Sequence, residues 1–264
     1  MFPTYVINLD RDVGRLAHMR EVLGKAGVPF ERVPGVLGRA VPGNLADQFP
    51  WSEMNAGHMG AYASHLLVAQ LVFSRKHNAA VVLEDDVVVE PDFATIVAAA
   101  VEAAPFGWDQ ICLLGTSRWA MLKVGSLPNG RHLVRYSRFP WTAAGYVLSR
   151  SGAAKLLRPR VRRIGVDVEM KQPWLHGRDF DALGVAPPIV RQDPAFPSSL
   201  NAIAGEVRRD LPVRTSIQGH LWYLSTLGAA DFLKCKVHNL ITAAKWGGPA
   251  SPSPVNHCER AKTK

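Results

Sequence analysis

Ala79-Ala-Val-Val-Leu-Glu-Asp-Asp-Val-Val-Val89 decides the fold. Ala79–Leu83 is a continuous, largely β-branched apolar run, the pattern of a strand covered on both faces in a parallel sheet. Three acidic residues follow it and three valines follow them. Acidic side chains set between such runs are costly to bury without a partner. In open α/β sheets, ligands bind outside the carboxyl ends of the strands. A solvated turn is the bland alternative, but the apolar flanks favour a cation site. In an extended chain Glu84 and Asp86 fall on one side and Asp85 on the other, and two carboxylates held together repel unless a cation lies between them. Oxygen-only ligands select hard ions, Mg²⁺ or Mn²⁺, which keep positions for water and substrate phosphates.

Outward from this strand, strands and helices alternate. Thr4–Leu9 reads as a buried strand. Asp12 is placed to cap a helix whose apolar positions Leu16, Met19, Leu23 and Ala26 recur at helical spacing, closed by Gly27. Pro29–Val36 reads as a second strand, and Gly38–Asn55, rich in Gly, Pro and Asn, as a loop. An amphipathic helix is predicted from about His58 to His77, and Asp92 is placed to cap another over Phe93–Ala104. Gln110–Leu114, His132–Arg138 and Ala144–Leu148 read as strands, and Gly152–Leu157 as a short helix. Asp167–His176 reads as a helical turn or two, interrupted by Pro173. Such alternation predicts an α/β fold with a mainly parallel central sheet.

The chain has 264 residues, 47% hydrophobic and 20% charged, enough for one substantial core with or without a small appendage. That apolar share excludes a disordered chain, and its 22 glycines and 19 prolines have no collagen-like period. No run of roughly 18 uncharged apolar residues exists, so no transmembrane helix is expected. The first ten residues lack a basic n-region and a long apolar h-region and do not read as a secretory signal. The three cysteines, Cys112, Cys235 and Cys258, form no close metal-binding pair. Their odd number, with no Asn-x-Ser/Thr sequon, suits the cytoplasm. The net charge of +9 favours anionic partners: nucleic acid, anionic lipid or phosphorylated small molecules. Basic residues are spread along the chain rather than gathered with aromatics on one element, so nucleic acid is not the expected partner.

Several segments follow one another in a telling order: Tyr5-Val-Ile-Asn-Leu-Asp-Arg-Asp-Val-Gly-Arg15, Phe30-Glu-Arg-Val33, Gly60-Ala-Tyr-Ala-Ser-His65 and Val82-Leu-Glu-Asp-Asp-Val87. Then come Thr142-Ala-Ala-Gly-Tyr-Val-Leu-Ser149 with Gly152-Ala153, Val166-Asp167, and Pro188-Ile-Val-Arg-Gln192 with Ser198-Ser199. The series resembles glycosyltransferase family 25, which includes bacterial lipooligosaccharide galactosyltransferases and collagen galactosyltransferases. It covers about residues 3 to 200, and the order is more specific than any single piece. The resemblance implies a GT-A (Rossmann-like) nucleotide-sugar transferase fold, a UDP-sugar donor and inversion at the anomeric carbon. One departure stands out. Where the family usually has Gly-Glu-x-Gly-Cys, this chain has Gly57-His58-Met59-Gly60-Ala61.

Carried over residue by residue, the resemblance gives each position a role. Asp86, with Glu84 or Asp85 assisting, would hold Mn²⁺ or Mg²⁺, a Lewis acid for the charge growing on the departing diphosphate. The remaining acid would contact ribose or donor sugar. Asn8, Arg11 and Arg15 follow the first strand, where the nucleotide is expected. Arg15 reads either as a bidentate phosphate partner or as an exposed helix arginine. Only the resemblance lifts His65 from core histidine to donor-site residue. Ser64 and His65 are helix neighbours without a Gly-x-Ser-x-Gly elbow and do not read as a hydrolase pair. Thr142 and Gly145, with Ala143 and Ala144, either form a close wall beside donor and acceptor or pack tightly. The base for the acceptor hydroxyl falls to Asp167 ahead of Glu169, the alternative being that Asp167 caps its own helix.

The expected organisation is a transferase domain over 1–217, an aromatic and basic helical appendage over 218–246 and a disordered tail over 247–264. Gln218–Lys245 reads either as a helix packed on the domain or as a segment lying on an anionic membrane surface. The function expected is metal-dependent, inverting transfer of a sugar, with galactose (UDP-galactose) the first choice, from a UDP-sugar to a hydroxyl of a glycan acceptor, free or lipid-linked. The setting expected is bacterial lipooligosaccharide, lipopolysaccharide or other surface-glycan synthesis, in the cytoplasm, with or without peripheral contact at the inner face of the cytoplasmic membrane. Two other readings stay open: a basic nucleic-acid-binding protein, and a transferase relative without activity that serves as a scaffold.

Overall fold

A computed structural model describes residues 1–50, 54–115, 117, 119–140, 143–196 and 217–246. Its strands are β1 (Thr4–Asn8), β2 (Glu31–Pro34), β3 (Ala79–Glu84), β4 (Val87–Val89), β5 (Gln110–Cys112), β6 (Met121–Ser126), β7 (His132–Tyr136), β8 (Gly145–Ser149), β9 (Ala182–Ala186) and β10 (Val190–Gln192). Eight form one sheet in the order β2-β1-β3-β8-β5-β9-β7-β6, and β4 pairs separately with β10. β1 runs parallel to β2 and β3, and β5 to β9. β8 is antiparallel between β3 and β5, and β7 between β9 and β6. Six strands of the sheet therefore point one way and two the other, the α/β fold with a mainly parallel sheet that the sequence predicts.

One detail differs. β3 has a parallel neighbour on one side only, because an apolar run reports cover on both faces and not the direction of its partners.

The helices are α1 (Val13–Lys25), α2 (Gly43–Ala46), α3 (Ala56–Ser74), α4 (Phe93–Ala103), α5 (Arg150–Leu156), α6 (Val166–Met170), α7 (Ile217–Leu227) and α8 (Ala229–Trp246). Alternation along the strands splits the core into two layers. Tyr5, Val82 and Tyr146 face Met59, Tyr62 and Leu66 of α3. Val6, Val81 and Val147 face Met19 and Leu23 of α1 and Phe93 and Ile96 of α4. The start of α3 is pressed onto residues 36–38. A Cβ at Gly60 would lie 2.1 Å from the Val36 carbonyl oxygen, so only glycine allows this approach, which brings His65 over the sheet.

Trp222 Nε1 donates to the Phe180 carbonyl at 2.9 Å, the Tyr223 hydroxyl accepts from the Phe139 N–H at 2.9 Å, and both rings join the α3-side core. Residues 247–264, expected to be disordered, lie outside the described residues. No helix among the described residues is long and apolar enough to cross a membrane.

Local expectations failed where tertiary partners compete. Neither Asp12 nor Asp92 caps its helix through its side chain. The Asp92 carboxylate instead accepts from Asn129 Nδ2 and Arg131 Nη1, each at 2.6 Å. The stretch read as loop holds a 3₁₀ turn at Gly38–Ala40 and α2. Strands β4, β6, β9 and β10 went unread. β6 is a mostly exposed edge strand with no apolar alternation, and β9 contains Gly184, whose missing side chain makes room for the Tyr136 ring.

Candidate active site

β3 ends at Glu84, and Asp85 and Asp86 turn the chain into β4. The strand alternation expected to align Glu84 with Asp86 stops there, so the triplet divides differently. Asp85 and Asp86 face α1, and Glu84 faces α3. Asp85 Oδ1 accepts from Arg15 Nη1 at 2.8 Å and its Oδ2 from Asn8 Nδ2 at 2.7 Å. The buried Asn8 amide is oriented on both sides, since Nδ2 also donates to the Asp12 carbonyl at 3.0 Å and Oδ1 accepts from Arg32 Nε at 2.8 Å. Arg15 is no exposed helix arginine. Its guanidinium is 3.6 Å from Asp86 and lies over the Phe196 ring. Asp86 Oδ1 is buried with no hydrogen-bond partner among the described residues. Burial and the nearby Glu84 charge push the Asp86 carboxyl up to about 7, against the pull of Arg15. Burial and Asp85 push Glu84 up to about 7 as well, again opposed by Arg15.

On the α3 side, His65 Nε2 is 3.1 Å from Glu84 Oε1 and its Nδ1 is 3.0 Å from the Tyr146 hydroxyl. Burial raises the Tyr146 phenol and lowers His65 to about 4. The ring is therefore neutral at neutral pH and bridges the Tyr146 hydroxyl and the Glu84 carboxyl through its two nitrogens. Asp167 stands beside this chain. α6 begins after Gly165, so Asp167 does not cap it. Its carboxylate accepts from the Ala143 backbone N–H, and enclosure, with Glu84 adding and His65 and His58 opposing, raises it to about 6. His58, the departure from the family pattern, places its ring beside Gly165, two residues before Asp167. Glu169 is buried away from the triplet, bonded to Tyr62, Arg160 and Arg162.

The remaining expected residues fall to the side. Arg11 is exposed in the β1–α1 turn, 3.8 Å from Asp12. A Cβ at Gly145 would meet Val190 Cγ1 at 2.9 Å, so this glycine makes room for a neighbouring strand rather than for an open wall. Ser64 accepts from the Val36 N–H and donates to the Gly60 carbonyl, a structural role. Thr142, Ser198 and Ser199 lie outside the described residues. Residue-level reading missed Tyr146 and Arg32, although both lie within the motifs of the resemblance. It also missed Phe196, which carries no local signal.

A divalent ion suits the donor set at Asp86: a buried carboxylate oxygen without a partner among the described residues, and two acids that burial first, and neighbouring carboxylates second, raise to about 7. No three His, Cys, Asp or Glu side chains among the described residues are grouped to enclose an ion. Asp86 and Glu84 would therefore leave most positions to donor phosphates and water, the habit of Mg²⁺.

A mainly parallel sheet with an acidic triplet closing its third strand is the arrangement that the sequence led us to expect. The chain belongs to glycosyltransferase family 25, whose model, described as an LPS biosynthesis protein family, matches residues 1–170 and so spans Asn8 through Asp167. Over 169 residues it is 30% identical to a glycosyltransferase 25 family member of Anopheles gambiae, covering 58% of this chain and 28% of that protein. It is 28% identical over 170 residues to procollagen galactosyltransferase 2 of Homo sapiens, covering 58% of this chain and 27% of that one. The chain thus spans under a third of the length of these relatives. Among solved structures, A197 from STIV matches with a TM-score of 0.40 at 15% identity, covering 72% of this chain and 83% of that one, a likeness too loose to build on.

Proposed function

We propose that this protein is an inverting, metal-dependent transferase that moves galactose from UDP-galactose to a glycan hydroxyl in bacterial surface-glycan synthesis. The observation that carries the reading is the pairing of Asp86, whose buried Oδ1 has no partner among the described residues, with Asp167 beside Glu84. Asp86 and Glu84 would hold the divalent ion, which when bound stabilises charge on the diphosphate. Arg15, steered by Asp85 and Asn8, presents a guanidinium to the same corner and adds charge-assisted donors for phosphate. The Tyr146–His65 chain keeps Glu84 oriented without adding a charge of its own. Asp167, near 6, is ionised at neutral pH and suited to take the acceptor hydroxyl proton. The acceptor oxygen then forms its bond to the anomeric carbon from the face opposite the diphosphate, the bond to the diphosphate breaks, and UDP leaves.

Galactose is supported by the named activity of the human relative, and the surface-glycan setting by the description of the family model. The proposal includes a cytoplasmic location with peripheral contact to an anionic membrane. α8 exposes Leu233, Val237, Leu240 and Ile241 at helical spacing, interleaved with Lys234 and Lys236. The decisive experiment is UDP release from a panel of UDP-sugars with Mn²⁺, Mg²⁺ or EDTA. Metal-dependent release from UDP-galactose is expected. Unchanged turnover in Asp86→Ala, or turnover in EDTA, overturns the assignment.

A further inference from the structure

A cavity of about 650 Å³ opens between α5, the turn at 173–178 and α7. Among the described residues, Lys155, Arg158, Arg160 and Arg178 line it and no carboxylate does. Trp174 and Trp222 supply an apolar wall, and Leu221, more than half exposed, continues it toward solvent. The surrounding charges do not balance. Lys155 Nζ is 2.7 Å from Asp109 and 3.1 Å from Asp179, and Arg160, with Arg162 beneath it, bonds Glu169. Arg158 is also drawn toward Asp179, and exposed Arg178 makes no ion pair among the described residues. Three carboxylates thus answer five cations. His176 adds a second signal. Its Nδ1 accepts from Arg160 Nη2 at 2.7 Å, so the neutral ring carries its proton on Nε2, and that buried N–H has no acceptor among the described residues.

We propose that this cavity binds a phosphoryl group carried on a molecule with an apolar portion, a phosphorylated amphiphile. Guanidinium groups meet phosphate oxygens in pairs, the indole faces suit an apolar chain or ring, and the volume lies in the range of small-molecule sites. The site shares no residue with the Asp86–Asp167 cluster and stands or falls independently of the glycosyl-transfer reading.

Titration calorimetry of the full chain with inorganic phosphate and with micelle-free dihexanoyl phosphatidic acid tests it, beside sedimentation with phosphatidylcholine vesicles with and without phosphatidic acid. Dihexanoyl phosphatidic acid is expected to bind more tightly than phosphate, and Arg178→Glu and Arg158→Glu each to weaken it by about tenfold, the loss of one charge-assisted contact. Capture by phosphatidic acid vesicles that fails in both variants identifies the source as a bilayer headgroup. Binding of the soluble lipid alone identifies a free phosphate ester. Absence of binding to either soluble phosphate, or affinities unchanged in both variants with melting temperatures preserved, overturns the proposal. Vesicle capture that survives both substitutions also counts against it and assigns lipid contact to α8.

Discussion

Asp86→Asn is expected to stabilise the metal-free protein at pH 8 while abolishing turnover. Burial and the nearby Glu84 charge hold the Asp86 carboxyl at about 7 against an ordinary 3.8. A carboxyl raised in the fold contributes stability that is full below about pH 4 and is lost as pH rises through 7. At pH 8 the ionised group therefore costs the fold at most ~4 kcal/mol, at ~1.4 kcal/mol for each pH unit separating the two values. Arg15, 3.6 Å away, loses a partner in the variant, which takes back up to ~1 kcal/mol. Residual solvent contact at Asp86 screens part of the rest. About 2 kcal/mol remains, or about 4–8 °C in melting temperature for a chain of this size. Calorimetric melting in EDTA measures it: Asp86→Asn should melt higher at pH 8, and the difference should close toward pH 4. Mn²⁺ should raise the wild-type transition and leave the variant's in place. A variant that melts lower than wild type at pH 8 without metal refutes the reasoning, because Asp86 would then be a satisfied structural residue.

Other outcomes follow from the same geometry. Asp167→Asn should lower kcat by about 10²- to 10⁴-fold while UDP affinity persists. At saturating metal, which keeps Asp86 and Glu84 ionised, the wild-type rate should climb through about pH 6 and level off above it, a limb absent from the variant's pH profile. Glu169→Gln leaves the fully buried Arg162 and its neighbour Arg160 without a counter-charge, and urea unfolding should register a loss of about 3–5 kcal/mol. Gly60→Ala puts a methyl 2.1 Å from the Val36 carbonyl oxygen. α3 must shift, at a cost of about 1–3 kcal/mol, with reduced turnover because His65 rides on that helix.

The legibility of the sequence followed the range of the signal. The run Ala79–Leu83 and the helical spacing of Leu16, Met19 and Leu23 are local periodicities, so β3 and α1 could be read to within a residue or two. Short or exposed strands such as β6 and β10 have no apolar pattern to read, since their pairing is decided by neighbours far along the chain. Asp12 and Asp92 had the chemistry of helix caps, but Arg131 and Asn129 won the second of them across 37 to 39 residues.

The sequence by itself determined the α/β class, the acidic triplet at the end of a buried strand and the family, because each is written in contiguous residues and their order. Only the tertiary structure decided how the triplet is divided. Asp85 is held by Asn8 and Arg15, Glu84 by His65, and one Asp86 oxygen has no partner among the described residues. Those partners come from β1, α1 and α3, and electrostatics depends on distance through space, which chain separation does not report.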